Sequence, residues 1–189
     1  MARFSKEELR AQYGVELPDL VGPDLRLLFV GINPGLWTAA VQTHFAHPVN
    51  RFYPALLAAG ILTTPVDPSA GMTDADRRAF TDRGLGITNL VAGATARADE
   101  LSTEELRAGG ERLTRFVAEH RPAVVAVLGI TAYRSAFGAR TAVAGRQPEP
   151  LGGAELWVVP NPSGLNAHET VASLAVAYGE VARAAGVIG

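Results

Sequence analysis

The chain contains no cysteine, and that absence removes whole classes of chemistry. Without a thiol there is no disulfide framework, no thiolate nucleophile, no iron–sulfur cluster and no cysteine-ligated zinc. Charge is sparse as well: Asp, Glu, Lys and Arg make up 19% of the 189 residues and leave a formal net charge of −2. A chain so balanced is not an overall polycation, so contact with nucleic acid would depend on a local basic surface. No charged-then-apolar leader opens the sequence and no apolar run is long enough to span a bilayer, so a cytoplasmic protein with no membrane partner is the expectation. What is present is a hydrophobic fraction of 48%, typical of a globular protein, in a length suited to one domain with one good core.

Glycine and proline divide the chain into alternating strands and helices. Leu27-Leu28-Phe29-Val30 is continuously apolar, as a strand buried on both faces would be, and Gly31 ends it. Further strands are expected at Ile87 to Val91, after Gly84 and Gly86 as punctuation, at Ala123 to Gly129, and at Leu156 to Val159. Ser5 heads a short helix to Tyr13, Asn50 heads one to Ala59, and another runs from about Thr73 to Arg83. Ser102 and Glu105 form a capping box ahead of Leu106, Leu113, Phe116 and Val117 at helical spacing. A helix from Thr131 to about Phe137 and a closing one from about Glu169 to Ala185 complete the set. The Gly/Pro-rich stretch Gly138 to Gly153 has room for a hairpin, and LWTAAVQTHFAHPV after Gly35 reads as a long loop rich in aromatics and histidine. This alternation predicts a three-layer α/β/α sandwich around a mostly parallel, four-stranded sheet, in one domain over 1–189.

Two strands end in turns of one form. GINPG (31–35) follows the first and PNPSG (160–164) the fourth, and each sets an asparagine directly before a proline. Pro34 biases Asn33 away from helical angles and Gly35 permits angles closed to other residues, which would hold a lone amide over the sheet's end. In a parallel sheet both turns fall on one edge, beyond the strands' carboxyl ends, where open α/β sheets bind ligands. Asn-Pro and Pro-Ser-Gly are good turn formers in their own right. Two of them, with an aromatic–histidine loop after the first and the apolar Leu165 after the second, point to a site.

These residues carry a resemblance. GINPGLWTAA followed by HFAHPVNRFY is similar to the active-site loop of the mismatch-specific uracil-DNA glycosylases, the family that includes thymine-DNA glycosylase. NPSGLNAH resembles that family's second motif, the loop that enters the duplex, and GITNLV its intermediate segment; the likeness runs in order from about Leu25 to the C-terminal helix. It implies a DNA-repair hydrolase whose partner is double-stranded DNA with a mismatched or damaged base. Such an enzyme flips uracil, or a related damaged pyrimidine, out of a G·U-type mispair and cuts its N-glycosidic bond, leaving an abasic site. By the same resemblance Asn33 is catalytic and holds the attacking water, Phe45 stacks on the flipped ring, and backbone N–H groups around Ile32 and Phe45 meet charge on the departing base. Gly35, Thr38 and His44 line the pocket, with Thr38 near carbon 5 of the pyrimidine, and Asn161 fixes the far side. Leu165 is the wedge that fills the vacated stack. Ser163, Gly164, Asn166 and His168 lie on the DNA, with Gly164 and Asn166 set to bond the widowed guanine. The chain departs from relatives in carrying Asn166-Ala167-His168 where some have arginine, and Ala92-Gly93-Ala94 where others show an acid and an arginine.

Other residues have plainer roles. His44 and His47 are three apart, but no carboxylate is placed with them to complete a zinc site; no metal and no cofactor are expected. His120 suits a helix end, Asp99 and Glu100 helix entry, and Trp157 and Phe116 the core. Arg97, Arg107, Arg112 and Arg146 are surface arginines within the chain's means of meeting phosphate. Monomeric, monofunctional action is the expectation. The alternatives are a nucleotide-binding module or a catalytically inactive DNA-binding relative. GINPG is neither GxGxxG nor GxxxxGK[ST], and no lysine follows it.

Overall fold

The computed structural model describes residues 4–189. Its sheet holds β1 (Leu27–Gly31), β2 (Leu85–Asn89), β3 (Val124–Leu128), β4 (Gly145–Arg146) and β5 (Glu155–Val159) in the order β2-β1-β3-β5-β4. All neighbours are parallel except β4, which runs antiparallel to β5. The expected four strands are thus five. The extra strand pairs Gly145 with Val158 and Arg146 with Trp157, and it forms inside the stretch with room for a hairpin. Two residues carry no period to read, so patterning passes over it.

β2 also begins and ends two residues earlier than expected. Gly86 is a strand residue opposite Leu28, not an entry turn. A Cβ on Gly86 would lie 2.5 Å from Leu25 Cδ1, so glycine is there to let the preceding segment cross closely. The shift makes Asn89 the last residue of β2, at its carboxyl end.

Every residue of β1, β2 and β3 is buried, which explains why Leu27 to Val30 lacks polar alternation. Leu27 and Phe29 face Phe52 and Leu56 of α3 (Phe52–Ala58), Phe80 of α4 (Asp74–Thr81) and Tyr178 of α7 (Val171–Ala184). Leu28 and Val30 face Leu113 and Val117 of α5 (Thr103–His120) and Tyr133 of α6 (Ile130–Phe137). Each such side chain removed from water is worth about 1.5–3 kcal/mol. The two faces are the outer layers of an α/β/α sandwich.

Capping fixes the helix starts. Ser5, Thr73, Ser102 and Thr170 each close a capping box, heading α1 (Lys6–Arg10), α4, α5 and α7. Asn50 stands one residue ahead of the α3 cap, Arg51, and its Oδ1 accepts the Phe52 N–H at 2.9 Å. The segment after Gly35 is not all loop: α2 (Leu36–Val41) occupies its start. Gly35 caps it without a side chain, so the usual polar start signal is missing. No described helix is long and apolar enough to cross a membrane.

Candidate active site

The chain leaves β1 for β2 on one side and later continues from β3 to β5 on the other, so the topology switches between β1 and β3. A cavity of about 460 Å³ opens beyond the strand ends at this point, within the span of roughly 300–1,000 Å³ usual for small-molecule sites. The turn after β1 supplies Ile32, Asn33 and Gly35, the end of β2 supplies Asn89, and the turn after β5 supplies Asn161, Ser163 and Gly164. Both Asn-Pro turns therefore share one cavity.

Asn33 is held by its nitrogen. Nδ2 donates to Thr95 Oγ1 at 2.8 Å, Pro34 O at 3.1 Å and Gly93 O at 3.4 Å. Carbonyl oxygens only accept, so they fix which end of the amide faces them. Oδ1 is left as an acceptor on the cavity wall. Thr95 is itself anchored, donating from Oγ1 to Arg97 O at 2.7 Å, and its N–H donates to Pro34 O at 3.1 Å. Gly35 corrects an expectation: its φ of −76° and ψ of 162° are ordinary extended backbone. A Cβ there would meet nothing within 4 Å. The glycine keeps open space beside Asn33.

His44 is buried and neutral. Its Nε2 lies 3.0 Å from Pro18 O, and Nδ1 lies 3.3 Å from Asn89 Nδ2. Because Pro18 O can only accept, the ring proton sits on Nε2, and Nδ1 accepts from the Asn89 amide. Burial holds the imidazole down at about 4, against the Pro18 carbonyl and the Asp19 carboxylate. Asn89 is thereby oriented too. Its Oδ1 lies over Gly31, where a Cβ would be only 2.3 Å away. The arginine behind it, Arg112, donates to Asn89 O and to Thr88 Oγ1 and sits 3.8 Å from Asp19. That side chain braces the strand end and is not a free phosphate ligand.

Phe45 adopts φ 54°, a conformation uncommon outside glycine and concentrated at functional sites. Its ring rests on Phe52 with centroids 4.2 Å apart, and its Cζ would be 3.2 Å from a Cβ on Gly31. The N–H groups of Ile32 and Phe45 meet no acceptor among the described residues. Thr38 is buried on the wall and accepts the Ala46 N–H at 3.3 Å. Trp37 turns outward instead, with Nε1 donating to Ser69 O at 3.0 Å and its ring edge-on to Phe4 and His47.

Across the cavity, Asn161 Oδ1 accepts the Ser163 N–H at 2.9 Å, and Ser163 Oγ accepts the Leu165 N–H at 3.2 Å. Leu165 stands at the rim, 85% exposed. Asn166 and His168 do not line the cavity. The Asn166 amide braces its own loop, donating to Asn161 O at 3.1 Å and accepting the His168 N–H at 3.3 Å, while His168 is exposed.

Other expectations are settled locally. Asp99 and Glu100 lie in a short 3-10 turn with Arg97, whose guanidinium pairs with Asp99 at 2.6 Å on the cavity rim. Arg97 holds the Asp99 carboxyl below its ordinary range. Arg146 pairs with Glu155 at 3.1 Å on the far edge strand, and His120 stacks on Phe116 and bonds its carbonyl at 3.0 Å. Phe116 and Trp157 are half-buried rather than core. Sequence reading missed Asn89, Thr95 and the exposed Val49 as wall residues. Only Asn89 carried a signal, an asparagine at a strand's end like the other two.

The family model described as the Uracil DNA glycosylase superfamily matches residues 18–180, and the chain belongs to that superfamily. Its members are DNA glycosylases, hydrolases that release uracil from DNA in base-excision repair, and DNA is accordingly the partner of this chain.

Proposed function

We propose that this protein excises uracil opposite guanine in double-stranded DNA, as a monomeric, monofunctional glycosylase. The observation that carries the reading is the state of Asn33: its nitrogen is committed to three protein acceptors, which leaves its oxygen for a water beside the pocket. A uracil turned into the cavity would lie against Phe45. The Asn89 amide offers both an acceptor and a donor, the complement of the N3–H and O4 edge of uracil. As the C1′–N1 bond breaks, its electron pair leaves with the base, and the unpartnered N–H groups of Ile32 and Phe45 suit the charge gathering there. The water held on Asn33 Oδ1 adds its oxygen to C1′, and the proton it loses passes through solvent to the departed uracil anion, leaving neutral uracil and an abasic deoxyribose. An amide is a weak base, so departure of the base leads and attack follows.

Mismatch preference is supported by the low cost of unstacking an already weak pair, which leaves less for the Leu165 wedge at the rim to supply. Monofunctional action is supported by composition. Strand cleavage through a Schiff base needs an amine nucleophile, yet Lys6 is the chain's sole lysine and lies in α1, outside the cavity. The test is single-turnover release of uracil from duplexes carrying G·U or A·U. Faster release from G·U with an intact, alkali-labile strand is expected. Equal rates would sink the mismatch reading, and spontaneous strand cleavage would sink the monofunctional one.

A further inference from the structure

A leucine displayed to solvent at the crest of a loop gains nothing from water, so something beneath the loop must hold it there. Arg51 lies beneath it. The Arg51 guanidinium donates from Nη1 to Glu169 O and from Nη2 to Ser163 O and, at 2.7 Å, to Asn166 O. Its own main-chain N–H donates to Pro162 O at 3.0 Å. Among the described residues no carboxylate pairs with it, and its buried Nε finds no acceptor. A partly buried cation is costly unless its donors are met; here the Nη donors are met by carbonyls of one loop. Those carbonyls turn inward, so the chain between Ser163 and Glu169 arches outward with Gly164 and Leu165 at its crest. From the other side Gly164 sits against Val49, so closely that a Cβ would lie 2.5 Å from Val49 Cγ2.

We propose that Arg51 is a positioning residue for the Leu165 wedge: its planar fork pre-sets the Ser163–Glu169 arch before DNA arrives. Ordering a loop at the moment of insertion subtracts from binding, and a loop ordered beforehand avoids that loss. Arginine suits the task because one rigid guanidinium spans carbonyls that a lysine's point charge would gather one at a time. The proposal rests on the glycosylase reading above.

The test compares Arg51→Gln and Arg51→Lys with wild type in the full chain. Hydrogen exchange should accelerate in Arg51→Gln at loop amides such as Asn166, whose N–H donates to Ser163 O at 2.9 Å, while sheet amides stay protected. Excision from a G·U duplex should fall by about 10- to 100-fold, the span of one or two charge-assisted hydrogen bonds. In a Leu165→Ala background the same change should cost nothing further, because the wedge it positions is already gone. Additive losses would overturn the proposal, as would unchanged loop exchange. Arg51→Lys should show the same pattern at smaller size, and serves if Arg51→Gln does not fold; wild-type behaviour of the lysine variant would refute the fork. A wild-type protein that releases no uracil would sink the glycosylase reading alone, since loop exchange still reports on the tether.

Discussion

Acid should destabilise this protein before its carboxylates titrate, because His44 is buried as a neutral ring. An imidazole ordinarily titrates near 6.5; burial, the largest influence, pulls His44 down to about 4, with Arg77 reinforcing it and the Pro18 carbonyl and Asp19 carboxylate opposing it. The folded value lies below the unfolded one, so between these two pH values the unfolded chain binds a proton that the folded chain refuses. Stability therefore rises with pH through that window and is flat, as far as His44 is concerned, above it. At about 1.4 kcal/mol per unit, the whole gap is worth roughly 3 kcal/mol, of which about 2 kcal/mol is already lost near pH 5. Domains of ordinary stability hold about 5–15 kcal/mol, so the loss is readily measured. Urea unfolding from about pH 7.5 to about pH 4.5 should be compared in wild type and His44→Gln, whose amide can still donate to Pro18 and accept from Asn89. The two stability curves should converge as pH falls. Parallel curves would mean that His44 is not held neutral and that the reading of the pocket floor is wrong.

Other expectations concern the cavity wall and rim. Asn33→Ala should lower uracil excision by about 10²- to 10⁴-fold with DNA affinity little changed, and near-wild-type single-turnover rates would remove Asn33 from the mechanism. Leu165→Ala should impair release from A·U duplexes more than from G·U, because a mispair already lowers the unstacking cost; equal losses would count against a wedge. Thr38→Ala should speed thymine release relative to uracil opposite guanine, narrowing a discrimination of about 10- to 200-fold that one methyl can supply, and an unchanged ratio would show that Thr38 does not face the base. Gly31→Ala would drive a methyl to 2.3 Å from Asn89 Oδ1 and 3.2 Å from Phe45 Cζ. Displacements of about 1 Å at a reacting centre can cost about 10²-fold, so folded Gly31→Ala protein with full activity would show that neither side chain meets the substrate.

What the sequence disclosed and what it concealed divide along physical lines. The buried strands announced themselves because a strand covered on both faces has no polar residue to interrupt it, as in Leu27 to Val30. The capped helices did so because Ser102 and Glu105 satisfy each other's backbone donors at fixed spacing. The two Asn-Pro turns were legible as a pair only because parallel strands send both to one edge. By contrast α2 starts on a glycine that offers no side-chain cap, and β4 is too short to have a period. Asn89 was hidden by a register error of two residues, since Gly86 reads as a break until its close approach to Leu25 is seen. Asn166 shows a different limit: its amide braces the loop's own backbone, and no local pattern separates an internal brace from a ligand.

The polar groups around the cavity share one device, and it bears on where the rate comes from. Asn33, Asn89 and Asn161 each have one end of the amide bonded to a protein partner, which fixes which atom faces which way. His44 has both nitrogens occupied and is held neutral, which removes it as a proton acceptor near neutral pH. Asp99 remains an anion at the exposed rim, tied to Arg97. Among the described residues no strong base thus stands ready beside Asn33, and on the proposed reading a water oriented by its amide would gain position but little nucleophilicity. A hydrolase so equipped must draw its acceleration from the other partner in the reaction, by favouring a base that departs as an anion. Fixed dipoles do this without reorganising as charge develops. On the proposed reading the unpartnered N–H groups of Ile32 and Phe45 would be such dipoles, and the positive φ of Phe45 marks the turn that carries one of them.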